Sequence, residues 1–392
     1  MKQSWLIVTG MVFLCAGLAR SENPAAVACP SPESSVWTQG EYLLWFLSGQ
    51  PLPQALVTQG LGVPGTADGR VLFGGQAVDM GLFSGGRFGL GMWIDHEHQW
   101  GLEGSGFFLA ANTARFDAQS DANGVPSLGQ PVSIPGLGEQ SYIIAAPGLV
   151  YGRFYAEQET RLYGWEANVV RNLVREDGWQ VDALVGYRQL RFTENLTMKT
   201  NMISLAPGML SFLGQPLPSG ASQSIVDYFG AGNDIYAPQI GARLSCNVDR
   251  LGCDLFAKVG LGVAQQKVDI LGGSTYTAPF PGMDNGAASG GVYAQQTNSP
   301  GGSATRFVVV PEVNARVSYE VFPSVRLSLG YGFLYVSEVA RPGNQIDRVI
   351  NPNNVPSDQD YGRYVGPDRP AFLMQRSSLW AHGVNIGAEI KF

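Results

Sequence analysis

From about residue 36 onward the chain alternates between apolar and polar side chains with a period of two, the signature of strands with one oily and one polar face. In the closing run "SSLWAHGVNIGAEIKF", Trp380, His382, Val384, Ile386, Ala388, Ile390 and Phe392 share one parity. Ala381, Gly383, Asn385, Gly387, Glu389 and Lys391 share the other. "WQVDALVGYRQ" sets Trp179, Val181, Ala183, Val185 and Tyr187 against Gln180, Asp182, Gly186 and Arg188, and "VVPEVNARVSYE" sets Val313, Val317 and Tyr319 against Glu312, Asn314 and Arg316. Ten such segments are predicted, near 36–47, 83–94, 99–110, 159–171, 179–192, 234–246, 253–268, 304–320, 324–339 and 379–392. The stretch "LVYGRFYAE" either lengthens the fourth or adds a strand toward a total of twelve.

Alternation alone does not say which face is buried. In a soluble sandwich the oily face turns in to a core, whereas in a barrel that crosses a bilayer it turns out to lipid. The connections discriminate. Short links at 95–98, 172–178, 247–252 and 321–324 alternate strictly with long ones at 48–82, 111–158, 193–233, 269–303 and 340–378. A Greek-key sandwich has no reason to sort its loops so, but an up-and-down transmembrane antiparallel β-barrel does, with short periplasmic turns and long extracellular loops. The long loops are rich in Gly, Pro, Ser, Asn and Gln, and length of that kind often carries function.

The front of the chain agrees. Lys2, the apolar stretch "WLIVTGMVFLCAGLA" and a small polar region follow the order of a secretory signal, too short to span a bilayer as a helix. Cleavage is expected after Ala19 or Ala28, giving a signal peptide at 1–28 and one barrel domain at 29–392. The second site would expose Cys29, where lipidation is the alternative reading. The charged fraction is 15%, below the quarter or so usual for soluble domains, while 51 Gly, 15 Tyr, 8 Trp and 19 Phe suit tight strands and aromatic girdles. A net charge of −7 with no basic cluster gives nucleic-acid binding no support. The expected partners are outer-membrane lipid, the barrel-assembly machinery that reads a terminal aromatic such as Phe392 and, if the lumen is open, small solutes.

Several motifs invite chemistry. The "DHEH" turn offers Asp95, His96, Glu97 and His98, but an exposed turn makes a poor closed metal site. Hydrolase chemistry would need a histidine near a long loop; His96 and His98 fall in a short turn and His382 on the oily parity, so no enzyme, metal or cofactor is expected. "GGRFGLG" is no dinucleotide fingerprint because no helix follows it. Cys246 and Cys253 flank a tight turn and are a disulfide candidate. The inward parity carries Glu41, Arg87, Glu103, Glu166, Asp182, Arg188, Arg243, Lys258, Glu312, Arg316, Arg326 and Glu389. So many charges of both signs imply either a pore lining or a salt-bridged network filling the lumen; ten strands stand between filled and open barrels.

The blocks "WTQGEYLLWFLSGQPLPQALVT", "SGGRFGLGMWID", "WGLEGSGFFL", "LYGWEANVVRNL", "DALVGYRQLRFTENL" and "WAHGVNIGAEIKF" together resemble β-barrel porin family seven of planctomycete bacteria. The matching blocks include Glu41, Trp45, Gly85, Gly86, Arg87, Glu103, Glu166, Asn168, Gly186 and Arg188. The resemblance implies a barrel in the cell outer membrane. It carries no established binding residue, and "porin" there is itself inferred from architecture. Two functions follow as expectations: passive diffusion of small polar solutes, or a closed structural or surface-display barrel whose loops bind partners.

Overall fold

A computed structural model of the chain describes residues 35–392 except Met283 and Tyr364; the expected signal peptide and Cys29 lie outside the described residues. The fold is all-β, with two 3-10 turns and no helix long and apolar enough to cross a membrane among the described residues.

Ten long strands carry the architecture: β1 Val36–Leu47, β2 Leu82–Trp93, β3 Trp100–Gln119, β4 Val150–Glu176, β5 Trp179–Ser204, β6 Ser222–Val248, β7 Leu251–Thr277, β8 Gly301–Phe322, β9 Val325–Ala340 and β10 Arg376–Lys391. Each pairs antiparallel with its sequence neighbours, and β1 also pairs with β10, so the hydrogen bonding runs around a ring. The β1–β10 register sets Trp37 opposite Lys391 and Leu47 opposite Ala381. At this seam the exposed Phe392 donates its backbone N–H to Val36 O at 2.9 Å.

The parity expected from the sequence sorts the two surfaces. Phe88, Leu90, Val185, Ile240, Phe307 and Leu329 point out, and each is more than half exposed. A belt of exposed apolar side chains this extensive is far larger than the patches a soluble monomer shows.

The ring is lopsided. β4 to β7 have 26 or 27 residues, whereas β1 and β2 have 12 and β9 and β10 have 16. The sequence reading therefore began the strands at 159–171 and 234–246 too late and ended those at 179–192 and 253–268 too early. The reason is a reversal of polarity along the strand. Low on β5, Val185 and Tyr187 face out while Asp182 and Arg188 face in; higher up, Leu196 and Met198 face in and Lys199 faces out. Above the belt water replaces lipid outside and a core forms inside, so a search for oily-out alternation stops at the rim. "LVYGRFYAE" belongs to the upper part of β4, which leaves ten ring strands and not twelve. Three of the short links tighten as well, to Asp177-Gly178, Asp249-Arg250 and Pro323-Ser324, with Gly178 at φ 84°, while the first runs over 94–99.

The long loops are not loose. Segments of the first two form one four-stranded sheet in the order Arg70–Gly74, Ala55–Gln59, Leu128–Ile134 and Gly138–Ala145. A buried cluster including Leu56, Val57, Val132, Phe154, Phe229, Tyr293 and Ile350 welds this sheet to the tall wall and to the later loops. Asp227 on β6 holds the fourth loop, its carboxylate accepting the backbone N–H groups of Val292, Tyr293 and Ala294 at 3.2, 2.9 and 2.7 Å. Tyr293 in turn donates its hydroxyl to Pro131 O at 2.7 Å. Tyr142 donates to Asp358, and burial, together with the Asp358 charge, holds the Tyr142 hydroxyl protonated well above its ordinary range.

The fifth loop is fastened deepest. Arg341 is fully enclosed and donates to Glu194 of β5 from Nε at 2.8 Å and Nη2 at 2.6 Å, and to Ser48 Oγ and O at 3.2 and 3.1 Å. Beside it Asn233 of β6 both donates to Ala340 O and accepts from Ala340 N–H. Removing one partner of such a pair strands a buried charge. Arg341→Met is therefore expected to lower stability by about 3–5 kcal/mol. Adding Glu194→Leu should recover most of that loss. Urea unfolding of the refolded protein in detergent micelles, with both singles and the double, measures the cycle.

Candidate lumen site

Alternation along the strands brings the inward charges to one level, in the half of the ring nearest the short turns. Glu312 on β8 and Glu166 on β4 form its centre. Arg188 on β5 lies between them, donating from Nε to Glu166 Oε2 at 3.2 Å and contacting Glu312 closely. Lys258 Nζ on β7 reaches Glu166 at 2.5 Å and Glu312 at 3.6 Å. From β2, Arg87 approaches Glu312 at 3.4 Å and Glu41 at 3.6 Å, its guanidinium over the Trp45 ring.

A second cluster adjoins it. Arg243 contacts Glu103 and lies 3.9 Å from Asp182, while Arg316 binds Asp254 at 2.9 Å and Glu389 at 3.6 Å; the Phe256 ring takes both guanidinium groups. Arg326 stands apart at the rim, paired with Glu320 at 3.3 Å and partly exposed. All twelve inward charges named from the sequence thus point into the ring, and eleven join one layer. Asp254 was missed although it lies within the predicted seventh strand and shares the parity of Lys258. Glu194 was missed because it lies, on the Arg188 parity, just beyond the predicted end of its strand at 192.

Directly above the charges the inward positions turn apolar. Leu43, Trp45, Phe83, Leu109, Leu162, Leu190, Phe192, Ile235, Val308, Val310 and Leu334 are fully buried and pack as one cluster across the lumen. Trp45 fits because Gly383 and Gly332 lie against it; a Cβ on Gly383 would meet its ring at 2.7 Å and one on Gly332 at 3.0 Å. Its Nε1–H donates to Asn385 Oδ1 at 2.7 Å. The Arg341–Glu194 pair and the loop core lie above this cluster. Below it, a cavity of about 90 Å³ opens among the charges, lined by Gln39, Glu41, Arg87, Glu103, Lys258 and Arg316. Glu41 Oε2, Arg188 Nη1 and Arg243 Nε have no hydrogen-bond partner among the described residues, and a polar cavity this size has room for water to serve them.

The remaining expected features lie elsewhere. His96 is exposed, His98 stacks on Trp93 and His382 sits on the outer face with Tyr331 and Trp380, all away from the charged layer. Among the described residues no cluster of three or more His, Cys, Asp or Glu side chains is arranged to hold a metal. Cys246 stands directly opposite Cys253 in the β6–β7 register.

The family described as "Putative beta barrel porin-7" matches residues 37–392. The chain belongs to this family. No curated protein matches. Among solved structures, the chain is similar to the outer membrane protease OmpT of Escherichia coli at 10% identity, covering 92% of this chain and 98% of that one, with a TM-score of 0.39. It is also similar to a major outer membrane protein of Thermus thermophilus, at 10% identity over 91% and 100% of the two chains, TM-score 0.25. The Pseudomonas putida toluene transporter TodX matches at 8% identity over 92% and 91%, TM-score 0.22. Likeness this loose assigns no activity to a porin-7 chain.

The layer's energetics are unequal. Arg188→Met would leave Glu166 and Glu312 facing each other with less countercharge, an expected cost of about 3–5 kcal/mol. Arg326→Ala, at the wetter rim, should cost less than about 1 kcal/mol. Equal effects of the two substitutions on the urea midpoint would contradict this layering.

Proposed function

We propose that the chain is an outer-membrane barrel with a closed lumen, whose working surface is the loop cap on the cell exterior. The observation that carries this reading is the apolar layer: side chains from Leu43 to Leu334 fill the ring above the charges, and the Arg341–Glu194 pair locks a loop into it from above. Passive diffusion of polar solutes needs a continuous wet path, which larger barrels leave open and small filled ones do not. The ion pairs below the plug neutralise one another's charge, as a fill of the lumen does. The exposed apolar belt supports residence in lipid, and the sorting of short turns and knitted loops to opposite ends supports periplasmic termini and an external cap. The family's porin name favours the channel reading, but that name rests on architecture.

Planar-bilayer recording of the refolded protein tests this. The intact protein is expected to give no ohmic steps. Arg341→Ala combined with Trp45→Ala, which loosens the lock and thins the plug, should raise the frequency of leak events. Reproducible conductance from the unaltered protein would overturn the closed-lumen reading.

A further inference from the structure

The tall wall carries a second concave site, remote from the lumen. Near the upper ends of β3 to β7, on the outer face of the wall, lies a groove of about 330 Å³. Its floor follows the strand register: Arg153 pairs with Asn201, Asn201 with Ser224 and Ser224 with Thr275, while one rung higher Ser222 pairs with Thr277. The small side chains of Ser222 and Ser224 form the hollow, and Tyr151 lines one flank. Among the described residues, the side chains of Tyr151, Asn201, Ser222 and Thr277 make no hydrogen bond within the chain, so their hydroxyl and amide groups are available to a ligand.

We propose that this groove binds an uncharged stretch of a surface polysaccharide anchored in the same membrane; the proposal rests on the external orientation of the cap. The chemistry points to sugar. A ring face for stacking beside a row of neutral donors and acceptors matches the apolar CH face and the hydroxyls of a pyranose. A phosphate or carboxylate ligand fits less well, because the cation in the lining, Arg153, is already bound by Asp117 from Nε at 2.8 Å and from Nη2. Ile203 sits between Tyr151 and Ser222 in the register and adds an apolar contact, but a wholly hydrophobic ligand would cover the Asn201, Ser222 and Thr277 side chains without pairing them. The source follows from direction. The groove faces sideways from the wall, not upward from the cap, so a chain rising from the membrane beside the barrel reaches it first.

The test uses the full chain refolded in detergent micelles, with lipid-free polysaccharide released from the cell surface by mild acid as the probe. Maltoheptaose and inorganic phosphate serve as comparisons. Saturation-transfer NMR should show contact with the polysaccharide, and phosphorus-31 line broadening on titration should show none with inorganic phosphate. Tyr151→Ala should weaken binding roughly ten-fold, the size of one lost stacking contact. Ser224→Trp, which fills the hollow, should abolish it, with heat-shifted gel mobility showing that both variants fold. Binding of phosphate with no binding of polysaccharide would overturn the proposal, as would polysaccharide binding indifferent to both substitutions. Binding of maltoheptaose as tight as that of the surface polysaccharide would overturn the membrane-anchored source. Labelling of Thr277→Cys on whole cells by a membrane-impermeant maleimide separates the two readings. Labelled cells with no polysaccharide binding sink the glycan site alone, and unlabelled cells sink the external orientation with it.

Discussion

A strand whose hydrogen bonds close into a ring has only two environments for its side chains, inside and outside, and successive residues must take them in turn. That constraint governs this molecule. Where the outside is apolar, every second residue is forced inward and cannot also be oily without an apolar interior to receive it. The half of the ring nearest the short turns answers with charges of both signs, mutually paired. Burying one such pair yields little net stability, because desolvation offsets the Coulomb attraction. The layer is better understood as a fill that tolerates polar inward residues than as the source of the fold's stability.

Higher in the ring the same constraint is met differently. Trp45, Phe192 and their neighbours make an inward apolar plug, and above the belt the outer positions become polar as the inner ones become oily. The wall of β4 to β7 thus begins as a membrane strand and continues as one side of a water-soluble core. This reversal explains how loops rich in Gly and Pro become a packed cap: the wall offers them an apolar surface, and Asp227, Asn233 and Glu194 offer anchoring points for backbone and guanidinium groups.

On the closed-lumen reading, charged layer, apolar plug and cap together fill the interior. They turn attention to what faces outward: the cap itself, and the polar groove on the side of the wall. The lumen charges that first draw the eye in the sequence are occupied with one another, whereas Asn201, Ser222 and Thr277 on the outer face of the wall make no hydrogen bond among the described residues.

The sequence alone determined the strand parity, the alternation of short and long links and the inward set from Glu41 to Glu389, because period-two alternation and turn chemistry are local properties. It also placed Cys246 opposite Cys253, since a tight turn sets register. It did not reveal that Arg188 lies between Glu166 and Glu312, that Arg341 reaches Glu194 or that Asp227 captures the backbone at Tyr293. Glu166 stands opposite Arg188 in the β4–β5 register, but the Arg188–Glu312 and Arg341–Glu194 contacts join residues 124 and 147 positions apart in sequence, and only the curvature of the ring decides which inward side chains meet across it. Nor could parity alone say whether the lumen is open. That depends on whether Leu43, Trp45, Phe192 and Leu334 span the diameter, which is a question of volume in three dimensions.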